Sequence, residues 1–236
     1  MTKNIEFDRA NFPMIWVESL KAHIHWLPVT KIQFEYFIWD TSNPSFDQAW
    51  LDRMYKYNRR VTPNKIAPSN YWQAFMTGIA PVEVEQFASW CGDGPEEADY
   101  SIPTADEWQQ AYKEMQGRKW ETFEKWDEWN ETALKRSSER AKTLFKKMAE
   151  MPASKKNLAD LMLFNGGVLE WLRNSDSTKT NIEYTGHGET NRYWENASTG
   201  NYLRHAFPVK SIPKSPEDDN GRAAYYGFRL LRREKA

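Results

Sequence analysis

The stretch that decides the fold of this chain is Leu161-Met162-Leu163-Phe164-Asn165-Gly166-Gly167-Val168-Leu169-Glu170-Trp171. Its pattern becomes informative about the fold when it is considered together with three shorter stretches elsewhere in the sequence. These are Val29-Thr30-Lys31-Ile32-Gln33-Phe34, Ile102-Pro103-Thr104-Ala105-Asp106-Glu107-Trp108 and Gly227-Phe228-Arg229-Leu230. Each stretch alone carries little information, but together they extend from residue 29 to residue 231, with no linker-like run between them.

In this order the stretches resemble the sequence hallmarks of the formylglycine-generating enzyme family, the sulfatase-modifying factor fold, which is related to C-type lectins. That family usually carries VTNxQYxxF, then RLPTEAEWE, then GLYDMHGNVWEW, and GFR near its C-terminus. The resemblance implies an α+β fold: a formylglycine-generating-enzyme-like, C-type-lectin-like single domain over residues 1–236, with much irregular structure and short twisted strands. It also places Glu170-Trp171 and Gly227-Phe228-Arg229 in a central hairpin region.

Composition limits the classes of function. The chain has 236 residues and a net charge of −1, which argues against a general nucleic-acid or membrane-surface binder. Its 12 Trp, with Tyr and Phe, bury large areas and supply a core with few aliphatic side chains. No apolar run is long enough to cross a membrane, and the polar N-terminus has no signal-peptide pattern. We therefore expect a cytoplasmic protein or one assembled into a phage particle.

Several helices are predicted from local signals. Residues 29–39 alternate like a strand, but Thr30 is a good N-cap, and the resemblance favours a helix. A second helix is predicted over 81–91, with Pro81 at its first position and Gly92 ending it.

A third helix begins with a capping box of its own. The Thr104 hydroxyl can accept the backbone N–H of Glu107, and the Glu107 carboxylate can return to the backbone N–H of Thr104. The helix is predicted to run to about Gln116. This part of the family pattern is therefore a structural signal and not a catalytic one.

The segment 118–151 differs from the loop that relatives usually carry at this place. Apolar residues among many Lys, Arg and Glu predict an amphipathic helix or helix pair, a helical insertion that stops at Pro152. One interpretation is that the insertion packs on the domain and exposes a solvated outer face. The other is that it is a docking surface for a partner.

The copper chemistry of the family's enzymes requires a cysteine pair shortly before an RSAYR-like segment, which falls here at Leu203-Arg204-His205-Ala206-Phe207. The chain has a single cysteine, Cys91, and none after it. Without thiolates a soft copper(I) site and its redox chemistry are not expected. On the predicted 81–91 helix, Cys91 is expected to be a small buried side chain. The family's Gly-Gly-Ser-Trp segment is also replaced, by residues 193–196.

A second branch of the superfamily uses non-haem iron, which needs about three nitrogen or oxygen ligands. The closest pattern is His23-Ile24-His25, and no third ligand is indicated by spacing. We interpret His23 and His25 as two surface histidines and predict no metal and no cofactor.

Calcium is the remaining candidate that the resemblance suggests. In calcium-binding relatives the matching ligands would stand at Leu163, Gly166, Val168 and Glu170. Leu163 lacks the hard oxygen that calcium needs, so no calcium site, or a weak one, is expected. We expect Glu170 to accept backbone N–H bonds in the core instead.

The segment from Asn174 to Tyr202 is polar and rich in Asn, Thr, Gly and Tyr, which is typical of long loops and of adaptable contact surfaces. The predicted recognition surface extends over the loops from Asn174 to Tyr226. The sequence favours non-catalytic binding of a protein or glycan through these loops, as in retroelement-diversified and phage receptor-binding proteins with this fold. The predicted ligand-binding residues are Asn174, Tyr184, His187, Tyr193, Trp194, Tyr202 and Tyr225. The alternatives are a degenerate or unrecognised oxidase, and a structural subunit of a larger particle that uses 118–151 as its contact.

Overall fold

The computed structural model describes residues 5–41, 44–57, 62–67, 71–94, 98–118, 138–150, 162, 164, 168–173, 184–187, 207–208 and 226–235. Within these residues helices and strands are mixed, as the α+β prediction requires. In this described part of the chain, no helix is long and apolar enough to cross a membrane.

The first sheet joins the two ends of the chain. Its strands are β1 (Ile5–Phe7), β2 (Pro13–Val17), β3 (Ala22–His25), β4 (Ala98–Ser101) and β9 (Leu231–Glu234). They lie in the order β1-β2-β3-β9-β4, and all neighbours are antiparallel. The C-terminal strand therefore lies between β3 and β4, so the terminal GFR-containing region belongs to the centre of the fold.

The second sheet contains the decisive motif. Its strands are β5 (Leu169–Arg173), β6 (Tyr184–His187), β7 (Phe207–Pro208) and β8 (Tyr226–Gly227), in the order β7-β6-β5-β8. The expected central hairpin of Glu170-Trp171 with Gly227-Phe228-Arg229 is wrong, because β5 and β8 pair in parallel, with Glu170 opposite Gly227. Parallel neighbours need a crossover connection, and the chain between residues 173 and 226 makes one.

The ambiguous 29–39 segment forms helix α1 (Lys31–Thr41). Its start is a capping box: the backbone N–H of Gln33 donates to the Thr30 hydroxyl at 3.3 Å, and the Gln33 side chain accepts the N–H of Thr30 at 2.7 Å. The ring of Phe34 then lies at the centre of an aromatic cluster. Its ring neighbours are Phe37, Phe46, Trp50, Phe87 and Phe228.

The other helices of the scaffold are α2 (Gln48–Tyr57), α3 (Pro81–Gly92) and α4 (Ala105–Gly117). The starts of α3 and α4 are confirmed. Glu83 of α3 accepts the N–H of Ala80 at 2.8 Å, and Glu107 of α4 accepts the N–H of Thr104 at 2.7 Å. The Glu107 carboxylate also forms an ion pair with the guanidinium of Arg233 in β9, with 2.6 Å between nitrogen and oxygen. This ion pair connects α4 to the first sheet.

Part of the predicted insertion forms helix α5 (Glu139–Glu150), which ends two residues before Pro152. Its side chains Ala141, Leu144 and Phe145 are buried, and the Phe145 ring lies 5.0 Å from that of Phe12. The apolar face of α5 therefore packs on the N-terminal region, as the first interpretation of the insertion expects. Residues 119–137 lie outside the described residues.

Two apolar clusters share the interior. One lies between the first sheet and helices α4 and α5, and it includes Trp26, Trp108 and Leu231. The other surrounds α1, α2 and α3, and it includes Trp171 and Phe228. Trp26, Trp108 and Trp171 are all fully buried. Large aromatic side chains thus fill the core, as the composition predicts.

Thr104→Ala tests the capping box of α4. It removes the hydroxyl that accepts the N–H of Glu107, so the free energy of unfolding should fall by about 0.5–2 kcal/mol in a denaturant titration. Thr143→Ala is the matched control, because this hydroxyl donates to a carbonyl within α5 and caps no helix. Its effect should stay within about 0.5 kcal/mol. Equal losses in the two variants would contradict the capping role.

Candidate functional site

A buried ion pair between Glu170 and Arg229 joins the two sheets. Nε of Arg229 lies 2.8 Å from one carboxylate oxygen of Glu170, and a terminal guanidinium nitrogen lies 2.8 Å from the other. The two side chains are 1% and 0% exposed. This bidentate geometry satisfies both charges, which burial would otherwise make very costly.

The surroundings of this ion pair come from distant parts of the sequence. The indole N–H of Trp108 donates to Glu170 at 3.2 Å, and the Arg229 guanidinium lies 4.1 Å from the centre of the Phe164 ring. The guanidinium also donates to the carbonyl of His25 at 3.3 Å and to that of Met162 at 3.4 Å. We name this set the charge centre: Glu170, Arg229, Trp108 and Phe164. It explains why the family pattern needs a carboxylate, an arginine and a tryptophan at these positions.

The charge centre corrects our expectation for Glu170. Its oxygens accept the side-chain N–H groups of Arg229 and Trp108, and not backbone N–H groups. Since both oxygens are already held by buried donors, Glu170 is poorly suited to bind calcium, which would have to displace an arginine. Of the other expected calcium positions, Leu163 and Gly166 lie outside the described residues, and Val168 is buried.

Gly227 stands where two backbones approach closely. A Cβ atom at this position would lie 2.8 Å from the carbonyl oxygen of Met76 and 2.9 Å from a methyl carbon of Val168. A side chain would therefore force β8 away from its neighbours. Trp171 of the neighbouring β5 binds the same segment, because its indole N–H donates to the carbonyl of Ile79 at 2.9 Å.

His23 and His25 are not surface residues, and this expectation is wrong. They are 2% and 1% exposed, and Ala22 and Ile24, whose side chains alternate with theirs along β3, are buried as well, so both faces of this strand are covered. Nδ1 of His25 accepts the backbone N–H of Leu230 at 3.0 Å, and Nε2 lies 3.0 Å from the carboxylate of Asp8. An N–H can donate only to an unprotonated nitrogen, so His25 is the neutral tautomer with its proton on Nε2.

The same arrangement argues against His25 as a metal ligand. Both ring nitrogens are engaged, and Asp8 is held in turn by the backbone N–H of Phe12 and by the side chain of Gln33. His23 packs its ring against Trp16, with centroids 4.9 Å apart. Among the residues that the structure describes, no three His, Cys, Asp or Glu side chains form a metal-binding group.

Cys91 is a buried thiol on α3, 2% exposed, as predicted. Burial raises the pKa of the thiol well above its ordinary value, and the nearby charge of Asp8 raises it further. Copper(I) binds thiolates, and the family's site uses a pair of them. A single cysteine that resists deprotonation does not meet this requirement, so the residues of this chain do not fit the family's copper site.

The predicted ligand-binding residues are only partly placed. Tyr184 and His187 are the first and last residues of β6, where they pair in register with Arg173 and Glu170 of β5. The remaining predicted residues lie outside the described part of the chain: Asn174, Tyr193, Trp194, Tyr202 and Tyr225. The segments 193–196 and 203–206 lie outside it as well.

Arg173 is a candidate that the sequence analysis missed. It is the last residue of β5, directly before Asn174, and its backbone N–H donates to the carbonyl of Pro103 at 2.9 Å. Its Nε is buried and makes no hydrogen bond within the described residues. This buried donor at the start of the predicted binding segment makes Arg173 a candidate contact for a ligand. The sequence around Arg173 gives no sign of it, because the neighbours include Pro103 and Thr104, which are distant in the sequence.

The tautomer of His25 can be measured. In ¹⁵N NMR spectra of histidine-labelled protein at neutral pH, we expect the pattern of a neutral ring with its proton on Nε2. The signals that disappear in a His25→Asn variant identify the residue. A proton on Nδ1, or a charged ring, would contradict the hydrogen bond from Leu230.

Stability measurements on two variants complete this test. His25→Ala leaves the N–H of Leu230 buried without its acceptor, so unfolding should become easier by about 1–3 kcal/mol. His25→Asn places a side-chain oxygen near the former Nδ1 and should recover part of this loss. Equal stability of the two variants would argue that the Leu230 bond contributes nothing.

A comparison with known protein families agrees with this geometry. The model of the Sulfatase-modifying factor enzyme 1-like domain matches residues 3–234 of the chain. No curated protein and no solved structure gave a significant match. The matched range includes the charge centre and the capping boxes of α1 and α4, which are the residues that carry the resemblance. The chain therefore belongs to the sulfatase-modifying factor family, whose domain it contains over almost its whole length.

Proposed function

We propose that this chain is a non-catalytic member of its family, which binds a protein or glycan ligand through the surface between Asn174 and Tyr226. The observation that carries the proposal is the state of its one cysteine. Cys91 is buried, its thiol pKa is raised, and no second cysteine exists to complete a copper(I) pair. The cysteine pair that the family's oxidation chemistry requires is therefore absent from this chain, while the scaffold is retained.

The position of the binding surface is supported by the second sheet. The segment 174–225 begins directly after β5 and ends directly before β8, and these two strands lie side by side. Both ends are thus anchored at one place, next to the charge centre. Loops that are anchored on a rigid scaffold are common sites of recognition. Arg173, with its buried Nε, lies at the entrance to this segment.

We also propose a domain organisation, a compartment and a role for the loops. The scaffold is a single C-type-lectin-like domain over residues 1–236, which tolerates variation in its loops. The protein acts in the cytoplasm or in a phage particle, and its loops are comparable to those of retroelement-diversified recognition proteins. These statements rest on the resemblance of the motifs to the family.

Binding is tested first with two probes, a glycan microarray and a displayed random-peptide library. Tyr184→Ala, Tyr193→Ala and Trp194→Ala should each weaken the selected interaction, and at least one should cost about 2 kcal/mol, because aromatic anchors carry most binding energy. Val82→Ala is the control, since Val82 is an exposed apolar residue on α3. Thermal unfolding of every variant checks that the fold persists. Normal binding by all three loop variants would exclude this surface.

The competing oxidase function has its own test. The purified protein is incubated with copper and a cysteine-containing peptide under air, and the peptide mass is followed. We expect no conversion of the cysteine to an aldehyde, and no change on Cys91→Ser. Formation of the aldehyde in the wild type would contradict the proposal.

A further inference from the structure

The scaffold does not use the guanidinium of Arg173. Its Nε is buried, and within the described residues the side chain makes neither a hydrogen bond nor an ion pair. An unsatisfied buried donor is costly, and native proteins usually satisfy such a group with protein, water or a ligand. In the same part of the chain, five other arginines each pair with a carboxylate. These are Arg9, Arg118, Arg140, Arg229 and Arg233.

The backbone of Arg173 is held from two sides. Its N–H donates to the carbonyl of Pro103 at 2.9 Å, and Thr104 forms a parallel bridge with it. On the opposite edge of β5, Arg173 pairs in register with Tyr184 of β6. Trp171, two residues earlier and therefore on the same face of the strand, is fully buried. The start of this side chain is thus fixed where β5 leads into the 174–225 segment.

The side chain has a buried part and an accessible end. Its terminal nitrogens also make no hydrogen bond within the described residues, but they are not buried as Nε is, so they face the solvent. Ile102 and Leu172, which lie beside this place along the two segments, are fully buried and apolar. A charge in partly apolar surroundings attracts a counter-ion more strongly than a charge in open water, and salt screens the pair less. This place therefore favours binding of an anionic group.

A carboxylate fits this guanidinium best. The molecule contains an example in the ion pair of Arg229, whose Nε and one terminal nitrogen each lie 2.8 Å from a different oxygen of Glu170. Planar carboxylates match planar guanidinium groups with two parallel hydrogen bonds. One guanidinium also balances one carboxylate, whereas a phosphate monoester carries nearly two charges. The excess charge would lie near the first turn of α4, which already carries Asp106 and Glu107.

We propose that Arg173 binds an Asp or Glu side chain of a protein ligand at the 174–226 surface. The inference rests on the proposed function and names the chemical class of its ligand. A glycan needs several polar side chains around its hydroxyl groups, but Pro103, Ile102 and Leu172 offer none. Nucleic acids need several unpaired cations along their backbone, and Arg173 supplies a single one. Arginine is also among the residue types that most often carry binding energy at protein interfaces.

The test begins with a displayed random-peptide library that is selected on the wild-type protein alone. We expect the selected peptides to be richer in Asp and Glu than the unselected library. The strongest peptide should bind an Arg173→Gln variant about 10- to 100-fold more weakly, the range expected for a hydrogen-bonded charge. Lys113→Gln is the matched control, because it removes one positive charge from an exposed position of α4. Its affinity for the peptide should stay unchanged.

Exchanging the charges identifies the pair. Each acidic residue of the peptide is changed in turn to its amide. One of these changes should weaken binding to the wild type but not to Arg173→Gln, because the two losses then share one interaction. An Arg173→Glu variant should bind the original peptide poorly and recover binding when that acidic residue of the peptide is replaced by lysine.

A measurement without ligand separates binding from a structural role. The melting temperature of Arg173→Gln should lie within about 2 °C of the wild type, because the side chain supports no contact of the described scaffold. A clearly lower value that Asp176→Asn reproduces would reveal a partner inside the chain and overturn the proposal.

The remaining outcomes distinguish this inference from the proposed function. Peptides that depend on Tyr193 or Trp194 but bind Arg173→Gln normally would overturn the inference and leave the proposed function in place. Normal binding by the loop variants would overturn both. Neutral or basic peptides, no selected peptide, or a microarray on which only acidic glycans bind would each contradict a protein ligand with an acidic side chain.

Discussion

The ion pair between Glu170 and Arg229 is the interaction on which the rest of the structure depends. It connects β5 of the second sheet with the residue that leads from β8 into β9 of the first sheet. The Arg229 guanidinium also binds carbonyls beyond β3 and before β5. Removing one charge would leave the other uncompensated in the core, which typically costs about 3–5 kcal/mol. The same contact therefore constrains the positions of both sheets.

Because the motif residues form this ion pair, the family's sequence pattern can be kept in a protein that lacks the family's chemistry. The carboxylate, the arginine and the tryptophan that define the motifs hold one another, so their presence indicates a fold and not an activity. Functional residues are therefore expected among side chains that do not stabilise the scaffold. Within the described residues, the strand ends that enclose the 174–225 segment are such a place.

The sequence predicted well what local rules determine. Helix α1 starts at a capping box between Thr30 and Gln33, and α4 starts at the one between Thr104 and Glu107, because these signals act within four residues. The helical face of Phe34 and Phe37 is buried as its spacing predicts.

The failures concern contacts between distant residues. The parallel pairing of β5 with β8 joins segments more than fifty residues apart, and no turn chemistry specifies it. His25 looks like a polar residue at a strand end, and only the approach of Asp8 and Leu230 makes its burial acceptable. The partner of Glu170 was missed for the same reason, since Arg229 reaches it only through the order of strands in the first sheet.

A double-mutant cycle tests the central claim most directly. The free energy of unfolding is measured for the wild type, Glu170→Gln, Arg229→Gln and the double variant. If the ion pair organises both sheets, each single change should cost about 3–5 kcal/mol, and the double change should cost clearly less than the sum, because no charge then remains unpaired. Losses below about 1 kcal/mol, or losses that simply add, would contradict the account.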